Sequence, residues 1–379
     1  MPSSSGPRHI LYQAFSAAIA AAQPGQCLPP YLRALEPIAI GGRRLVIGAG
    51  KAAAAMAQIA EAICSDISDG LVVTRYGHSV PCQKIKVLEA AHPVPDDASV
   101  KASAAMLKLV QNLQPLDQVI CLISGGGSAL LTSPSPGLSL ADKQAVNTAL
   151  LKSGARIAEM NCVRKHLSAI KGGRLAAAIY PAAVHSFAIS DVPGDDPAVI
   201  ASGITAADPT TFAEARAILN RYNIVPSSAV AAHLQNAADE TPKPGDPRLI
   251  NTTFTVIAAA RQSLYAAATY AKAQGFKPII LGDDIEGEAC EVAQHHAKMA
   301  REMAPGSILL SGGETTVTVH GSGKGGRNTE YLLALGLALK DETNIYALAG
   351  DTDGIDGSEN NAGAFWDTET FLRAHGRNP

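Results

Sequence analysis

A short aliphatic segment, a glycine-rich turn and an Ala/Leu-rich helical pattern follow one another repeatedly along this chain. The apolar segments of the unit are Leu45–Ile47, Val119–Ile123, Thr255–Ile257 and Pro278–Leu281. Strands that are apolar throughout and alternate with helices are typical of a parallel sheet that is covered by helices on both faces. We therefore predict an α/β protein with a doubly wound, mostly parallel sheet.

The length of the chain predicts more than one domain. Its 379 residues exceed the size of about 250–300 residues at which a single core stops growing. The segment Asp239–Pro247 (DETPKPGDP) is rich in proline and charge, which favours a linker. We expect a first domain over residues 1–240 and a smaller α/β domain over residues 248–379. Just upstream, Thr211 and Glu214 form a capping-box pattern, which predicts a helix to about Tyr222.

Composition excludes several classes of function. The formal net charge of −3 leaves no basic excess for nucleic acid or an anionic membrane surface, and only 4% of residues are aromatic. The six cysteines form no CxxC pair, so neither a zinc knuckle nor a thioredoxin-type redox motif is expected. Because we find no signal peptide and no apolar stretch of membrane-spanning length, we expect a cytoplasmic protein with reduced cysteines. The oligomeric state, including a homo-oligomer, is left open.

The first glycine turn is Gly48-Ala49-Gly50-Lys51, which with Ala53 loosely matches the dinucleotide pattern G-x-G-x-x-A. The next strand ends at Thr74-Arg75, where an NAD-binding protein would carry an acid for the ribose. The P-loop pattern also fails at two of its defining positions. A lysine at a helix N-terminus is disfavoured by the helix dipole, so a bound anion would account for Lys51. A surface lysine on a packing turn is the alternative.

The second turn is Ser124-Gly125-Gly126-Gly127-Ser128, directly after a five-residue apolar strand. Three consecutive glycines carry a high cost in conformational entropy. A cradle of backbone amides and two hydroxyls for phosphate would justify that cost. We interpret this turn as a phosphate site, the alternative being a tight packing turn under a helix.

A third glycine-rich region starts at Ser311-Gly312-Gly313-Glu314, which we interpret as a further turn before a strand over Thr315–Val319. The loop that follows, residues 320–328 (HGSGKGGRN), is cationic and contains Arg327. We predict that it opens a helix near Thr329 and clamps phosphate. A flexible surface connection is the alternative.

Acidic residues are candidates for metal binding or proton transfer. Asp191 follows the apolar segment Ser186–Ile189, and an acid at the carboxyl end of a strand suits a metal ligand or a base. The loop Gly350–Gly357 contains Asp351, Asp353 and Asp356 but fails the EF-hand pattern. These three acids suit Mg²⁺ or the edge of a nucleotide, with solvated turn residues as the alternative.

Two weaker signals remain. The stretch VRKHLSAIKGGRLA places Arg164, Lys165, Lys171 and Arg174 on one segment, either near the phosphates or on a solvated basic face. His92 either lines a cleft or is a structural histidine. No Ser/His/Asp triad or G-x-S-x-G motif is apparent.

Together these segments resemble a known family. The matching segments, from Val46 to Phe365, are VIGAGKAAAAMA, LISGGGSALL, VRKHLSAIKGGRLA, ISDVPGDDPAVIASG, LSGGETTVTVHGSGKGGRNTEYLLALGLAL and LAGDTDGIDGSENNAGAF. The chain looks like a class II glycerate 2-kinase, with an N-terminal glycerate-kinase domain and a C-terminal MOFRL domain. Family members continue past the NAGAF segment. Because Asp367–His375 is predicted to be one more helix with no strand after it, we expect that a C-terminal tail is missing.

The resemblance implies a Rossmann-like first domain and a site in the interdomain cleft. It implies that ATP phosphorylates D-glycerate to 2-phosphoglycerate, with ATP and Mg²⁺ as cofactors and no macromolecular partner. The family's key lysine falls on Lys51 and its key arginine on Arg327. On this basis the turn at Ser124–Ser128 holds phosphates, Lys51 and Arg327 offset charge, and Asp191 orients the acceptor hydroxyl or binds the metal.

Two other functions are kept as alternatives. One is an NAD(P)H-dependent hydroxypyruvate reductase, which the G-x-G-x-x-A match suggests and the absent ribose acid opposes. The other is a non-catalytic protein that binds a small ligand. It would explain glycine turns but not why Lys51, Asp191 and Arg327 all lie in or beside them.

Overall fold

The computed structural model describes residues 6–321, 323–357, 360–367 and 369–370. The chain divides into two compact units, one formed by Pro24–Ala259 and the other by the segments before and after it. The helices are α1 Pro7–Ala21, α2 Pro24–Cys27, α3 Pro29–Arg33, α4 Ala53–Ile63, α5 Asp97–Leu109, α6 Gly127–Leu130, α7 Leu140–Lys152, α8 Ile157–His166, α9 Arg174–Ile179, α10 Phe212–Arg221, α11 Ser228–Asn236, α12 Ala260–Ala273, α13 Ala289–Glu302 and α14 Arg327–Ala338. The strands are β1 Arg44–Ala49, β2 Ile67–Arg75, β3 Ile85–Ala90, β4 Gln118–Ile123, β5 Ala183–Ile189, β6 Thr252–Ala258, β7 Lys277–Glu288, β8 Ser307–Thr316, β9 Ala347–Gly350 and β10 Gly363–Trp366.

A six-stranded sheet forms the centre of the Pro24–Ala259 unit, in the order β3-β2-β1-β4-β5-β6. Every neighbouring pair in it is parallel. The predicted fold class, a Rossmann-like, doubly wound parallel sheet, is therefore confirmed. The direction of strand addition reverses between β1 and β4, and open α/β sheets bind ligands at such a reversal.

Both faces of this sheet are buried, which explains why its strands are apolar throughout. Leu45 and Ile47 of β1 pack on one face in a cluster that includes Met106 of α5. Val46 points to the other face and packs in a cluster with Met56 of α4. Each fully buried side chain of this size stabilises the fold by about 1.5–3 kcal/mol. Burial on both faces fixes the ends of β1 and β4, and with them the turns that follow.

The observed boundary between the units lies at Ala259/Ala260, and not in the predicted linker at residues 239–247. β6 pairs with β5 in the central sheet, so the chain stays in the first unit after that segment. The segment itself is anchored: Thr241 is buried and donates a 3.0 Å hydrogen bond to Asp208. The helix at residues 212–221 begins after Thr211, and its predicted capping box is confirmed.

The other unit contains two small sheets, a parallel pair β7-β8 and an antiparallel pair β9-β10. Its N-terminal helix α1, which we predicted to belong to the first domain, packs through Ala14 and Ala18 against Ala267 of α12. A second cluster joins α13 and α14 to Trp366. Gly336 permits this packing, because a Cβ there would lie 2.3 Å from Nε1 of Trp366.

The predicted turn at Ser311–Glu314 is wrong, because these residues lie inside β8. The register of β7 and β8 shifts at Gly282 and Ile285, and Gly313 has a φ of 146°. A Cβ on Gly313 would lie 2.1 Å from the carbonyl oxygen of Ile285. Glycine therefore serves an irregular strand pair here and does not form a turn.

The remaining boundaries of this unit differ slightly from prediction. β8 ends at Thr316, α14 begins at Arg327 and β9 begins at Ala347. The predicted helix at 367–375 lies mostly outside the described residues. None of the helices in the described part of the chain has both the length and the apolar character needed to cross a membrane.

Candidate active site

The turns that follow β1 and β4 lie side by side at the carboxyl end of the central sheet. The amide of Lys51 donates a 2.9 Å hydrogen bond to the carbonyl of Gly125, and the amide of Ala52 donates a 3.0 Å bond to Oγ of Ser124. Because β1 and β4 flank the reversal of strand order, these bonds join the two glycine turns where ligands of this fold class bind.

The first turn is shaped by packing against β4. A Cβ on Gly48 would lie 2.2 Å from the carbonyl oxygen of Leu122, and one on Gly50 would lie 2.1 Å from Oγ of Ser124. The amide of Gly50 donates to the carbonyl of Val73 at 3.1 Å. Close contact with β4 thus accounts for both glycines, and their predicted contact with a cofactor stays a prediction.

In the second turn, several backbone amides have no hydrogen-bond acceptor among the described residues. Gly127 donates to the carbonyl of Ser124 at 3.3 Å, whereas the amides of Gly125, Gly126 and Ser128 donate to no acceptor within the described residues. These three residues are partly exposed, and Gly126 is in the left-handed region at φ 84°. Successive amides without protein acceptors form a concave anion site. The phosphate role of Ser124–Ser128 stays a prediction, and the second turn has a geometry that suits it.

Three side chains that the sequence marked as candidates surround the second turn. A Cβ on Gly125 would lie 2.2 Å from Oδ2 of Asp191, which is exposed. A Cβ on Gly126 would lie 2.8 Å from Cδ2 of His92 and 3.5 Å from Cγ of Lys51. The structure therefore brings the predicted Lys51 and Asp191 together at the turn. Sequence analysis gave His92 only weak support as a functional residue. Its position directly after β3 is the feature that could have strengthened that support.

The Ser128 end of the turn has other partners. Nζ of Lys171 donates a 2.6 Å hydrogen bond to the carbonyl of Ser128, and the hydroxyls of Ser128 and Ser202 lie 2.7 Å apart. The basic stretch is thus divided: Lys165 pairs with Asp208 at 3.2 Å, while Lys171 contacts the turn. Burial, and then the charges of nearby cations, hold the pKa of Lys171 well below its ordinary value.

In the other unit, Arg327 joins two of the predicted acids. Its NH1 donates to Glu314 and its NH2 donates to Asp351, both at 2.7 Å. Although burial lowers the pKa of the guanidinium, the hydrogen bonds and charges of Asp351 and Glu314 raise it overall. Asp353 accepts a 3.2 Å bond from the amide of Ile355 and has the geometry of a turn residue. Roles in cofactor binding for Ser311, Gly312, Gly313, Glu314, Asp351 and Asp353 stay predictions.

Asp356 is an important residue that the sequence distinguished in no way from the other two acids of its loop. It is almost fully buried, and it accepts 2.9 Å hydrogen bonds from the amides of Asn328 and Thr329. Although burial raises its pKa, these amides and the two side chains lower it overall. A carboxylate at a helix N-terminus stabilises the first turn. Asp356 therefore fixes the start of α14, and with it the backbone of Arg327.

A metal site formed by protein side chains alone is not apparent among the described residues. Within the described ranges, no three His, Cys, Asp or Glu side chains are grouped so that they could hold a metal ion. Mg²⁺ in kinase sites, however, is usually held by one or two carboxylates and the phosphates of the substrate. Asp191 fits that simpler pattern, and its role as a metal ligand stays a prediction.

Comparison with known proteins connects this site to a family. Residues 10–235 match the model described as "Domain of unknown function (DUF4147)", and residues 307–378 match the MOFRL family. A glycerate 2-kinase from Pyrococcus horikoshii is 41% identical over 88% of this chain and 78% of the relative. The D-glycerate 2-kinase from Thermotoga maritima is 39% identical over 89% of this chain and 82% of the relative. The chain belongs to the glycerate 2-kinase family.

A solved structure confirms the fold of the family, and one relative carries the name of a different activity. The crystal structure of glycerate kinase from Thermotoga maritima matches with a TM-score of 0.87 at 37% identity, over 98% of this chain and 89% of that chain. A relative from Agrobacterium vitis, 50% identical over 97% of this chain and 84% of its own length, is named "Putative hydroxypyruvate reductase". The names of relatives thus include both activities that the sequence suggested.

Proposed function

We propose that this chain catalyses the ATP-dependent phosphorylation of D-glycerate to 2-phosphoglycerate, with release of ADP. The observation that carries the proposal is the set of three amides at Gly125, Gly126 and Ser128 that have no acceptor among the described residues, beside Lys51 and Asp191. Such a set binds phosphate and positions one cation and one carboxylate against it. Relatives that carry the glycerate 2-kinase name at 41% and 39% identity support the same reaction.

Phosphoryl transfer depends on position and charge more than on covalent chemistry of the protein. The free amides of the second turn hold phosphate oxygens of ATP, and Lys51 offsets charge on the transferring group. Asp191 accepts the proton of the acceptor hydroxyl. At the same time the hydroxyl oxygen bonds to the γ-phosphorus, and the bond between that phosphorus and the oxygen that leaves with ADP breaks. The family resemblance also assigns Arg327 a charge-offsetting role, and one such group is worth about 3–4 kcal/mol.

Mg²⁺ would arrive with ATP, and when bound it offsets the negative charge of the phosphates. Asp191, whose exposed carboxylate lies against the glycine turn, would hold this ion as the alternative to its role as the base. Because ATP is plentiful in the cytoplasm and cysteines stay reduced there, we propose a cytoplasmic reaction.

Reduction of hydroxypyruvate is the second candidate, and the name of the Agrobacterium vitis relative favours it. Two observations oppose a nicotinamide cofactor. β2 ends at Arg75, with no acid at the position that binds the ribose of NAD. The space beside Gly50, which the backbone of a dinucleotide-binding protein leaves for pyrophosphate, is occupied by Ser124.

A single assay separates the two activities. The protein is incubated with ATP, Mg²⁺ and D-glycerate, and the product is identified by phosphorus NMR. Coupling to enolase without a mutase detects 2-phosphoglycerate directly, and 3-phosphoglycerate would contradict the proposed position of transfer. Oxidation of NADH or NADPH by hydroxypyruvate, without any phosphorylated product from glycerate, would establish the reductase instead.

A further inference from the structure

The buried Nζ of Lys171 makes fewer hydrogen bonds than it has donors in its protonated form. Lys171 is 3% exposed, and an ammonium group has three N–H donors. One donates to the carbonyl of Ser128 at 2.6 Å, and no other acceptor contacts it within the described residues. A buried donor without a partner is unfavourable, which indicates that another acceptor belongs beside Lys171.

Two further cations lie near Lys171. Lys143 donates to the carbonyls of Arg164 and Leu167 at 3.4 and 2.9 Å, so it is held at the end of α8. Arg164 donates to Oδ1 of Asn147 at 2.7 Å. None of the three cations is within ion-pair distance of a carboxylate in the described part of the chain.

The charges of Lys143 and Arg164 act on Lys171 and, after burial itself, contribute to lowering its pKa. Burial and the charge of Arg164 lower the pKa of Lys143 to about 7. Three neighbouring basic groups without an acid disfavour one another's charged forms, and a bound anion would favour those forms again. The cluster therefore has the chemistry of an anion site.

The position of the cluster along the turn indicates which anion it takes. Lys51 and Asp191 contact the Gly125–Gly126 end, where the phosphoryl group is expected. Lys171 contacts the Ser128 end. In a 2-hydroxy acid the carboxylate is bonded to the carbon that carries the reacting hydroxyl, so it needs a cation beside, but distinct from, the phosphate ligands.

We propose that Lys171, with Lys143 and Arg164 near it, binds the carboxylate of the 2-hydroxy acid acceptor at the Ser128 end of the glycine turn. This inference rests on the proposed kinase function. It makes the cluster the determinant that selects an acidic acceptor over a neutral one. Loss of Lys171 then weakens binding of the ground state, so the effect falls on KM for the acceptor more than on kcat.

The test compares Lys171→Met with the wild-type protein and with Lys152→Met, a change at an exposed lysine of the same unit. We expect Lys171→Met to raise KM for D-glycerate by about 10–100-fold while KM for ATP changes by less than about threefold. The neutral amide of glycerate serves as a second acceptor. The wild type should prefer glycerate strongly, and Lys171→Met should lose most of that preference.

Binding is measured separately from turnover, by the thermal shift that D-glycerate or ATP with Mg²⁺ produces. Loss of the glycerate shift with retention of the ATP shift supports the proposal. Loss of the ATP shift alone would identify a phosphate site, and retention of both shifts would overturn the anion site. If Lys171→Met does not fold, Arg164→Gln is examined by the same two shifts. A wild type that binds glycerate through Lys171 but transfers no phosphate would refute the kinase function alone.

Discussion

The carboxylate of Asp191 occupies the space in which a side chain at Gly125 would lie. A Cβ on Gly125 would be 2.2 Å from Oδ2, far inside van der Waals contact. The third strand-end turn, after β5, is thereby brought against the second, after β4. The glycine at this position consequently permits the approach of a carboxylate to the proposed phosphate site as well as the shape of the turn.

The first prediction follows from this contact. Gly125→Ala should displace Asp191 and lower kcat by about 10²–10³, since both the carboxylate and the amides of the turn would lose their alignment. Steady-state phosphorylation of glycerate measures it. Gly25→Ala is the matched control, because a Cβ there would meet only Cδ1 of Ile59 at 3.9 Å. Equal activity of both variants would contradict the role given to Asp191.

The second prediction concerns the two cations of the proposed mechanism. Lys51→Met and Arg327→Met should each lower kcat by at least about 10², with a smaller change in KM, because the charge they meet is greatest in the transition state. Arg327→Met also leaves Glu314 and Asp351 without their guanidinium partner, so unfolding is measured alongside kinetics.

Lys324→Met is the control for Arg327, since this exposed lysine lies in the same glycine-rich loop. Lys324→Met should lower kcat by about tenfold or less. An equal loss from Lys324→Met would show that the loop acts through diffuse charge and not through Arg327. A rise in KM for glycerate alone, in Lys51→Met, would place Lys51 on the acceptor in the ground state.

Much of the fold could be predicted from sequence because the strands of the central sheet are buried on both faces. β1 and β4 are continuous apolar runs that end in glycine turns, so pattern alone located Lys51 and Ser124–Ser128 at the carboxyl edge. The predictions were wrong where the same local composition is compatible with two different structures. Glycines at 312 and 313 suit an irregular strand as well as a turn. Proline and charge at 239–247 suit an anchored loop as well as a linker.

The contacts that complete the site had no local signal. Lys171 lies 43 residues from Ser128 along the chain, and only the packing of α8 and the following turns brings its ammonium to that carbonyl. His92 reaches Gly126 through the crossover after β3. Asp356 appeared as one of several loop acids, and its burial against the start of α14 distinguishes it from Asp353.

The third prediction tests that distinction. Asp356→Asn should destabilise the unit that contains α14 by about 1–3 kcal/mol, because the charged acceptor of two amides is lost from a buried position. Trp366 is the single tryptophan of the sequence and packs in the α14 cluster, so its fluorescence follows unfolding of this unit in urea. Asp353→Asn, at an exposed turn residue, should change the free energy of unfolding by less than about 0.5 kcal/mol. Equal effects would refute a special role for Asp356.

The last prediction concerns the anchored segment at residues 239–247 and its dependence on pH. Although burial raises the pKa of Glu240, hydrogen bonds from the amides of Phe212 and Thr241 and from the side chains of Lys243 and His166 lower it to about 2. Its ordinary value is 4.5. Because the folded state holds the proton less tightly than the unfolded state, the ionised carboxylate stabilises the fold above pH 4.5. That stabilisation is lost as pH falls from there towards 2.

The variant that tests this linkage is Glu240→Gln, compared with the wild type by urea denaturation at several pH values, with circular dichroism as the probe. The wild type should be more stable at pH 6–7, and the difference should shrink below about pH 4.5 and vanish near pH 2. Glu36→Gln is the control, because no ion pair or side-chain hydrogen bond involves this exposed carboxylate in the described part of the chain. Its difference from the wild type should be small and independent of pH. If the difference for Glu240→Gln were equally independent of pH, the hydrogen bonds of Glu240 would not favour its ionised form. The segment would then be held by packing and by Thr241 alone.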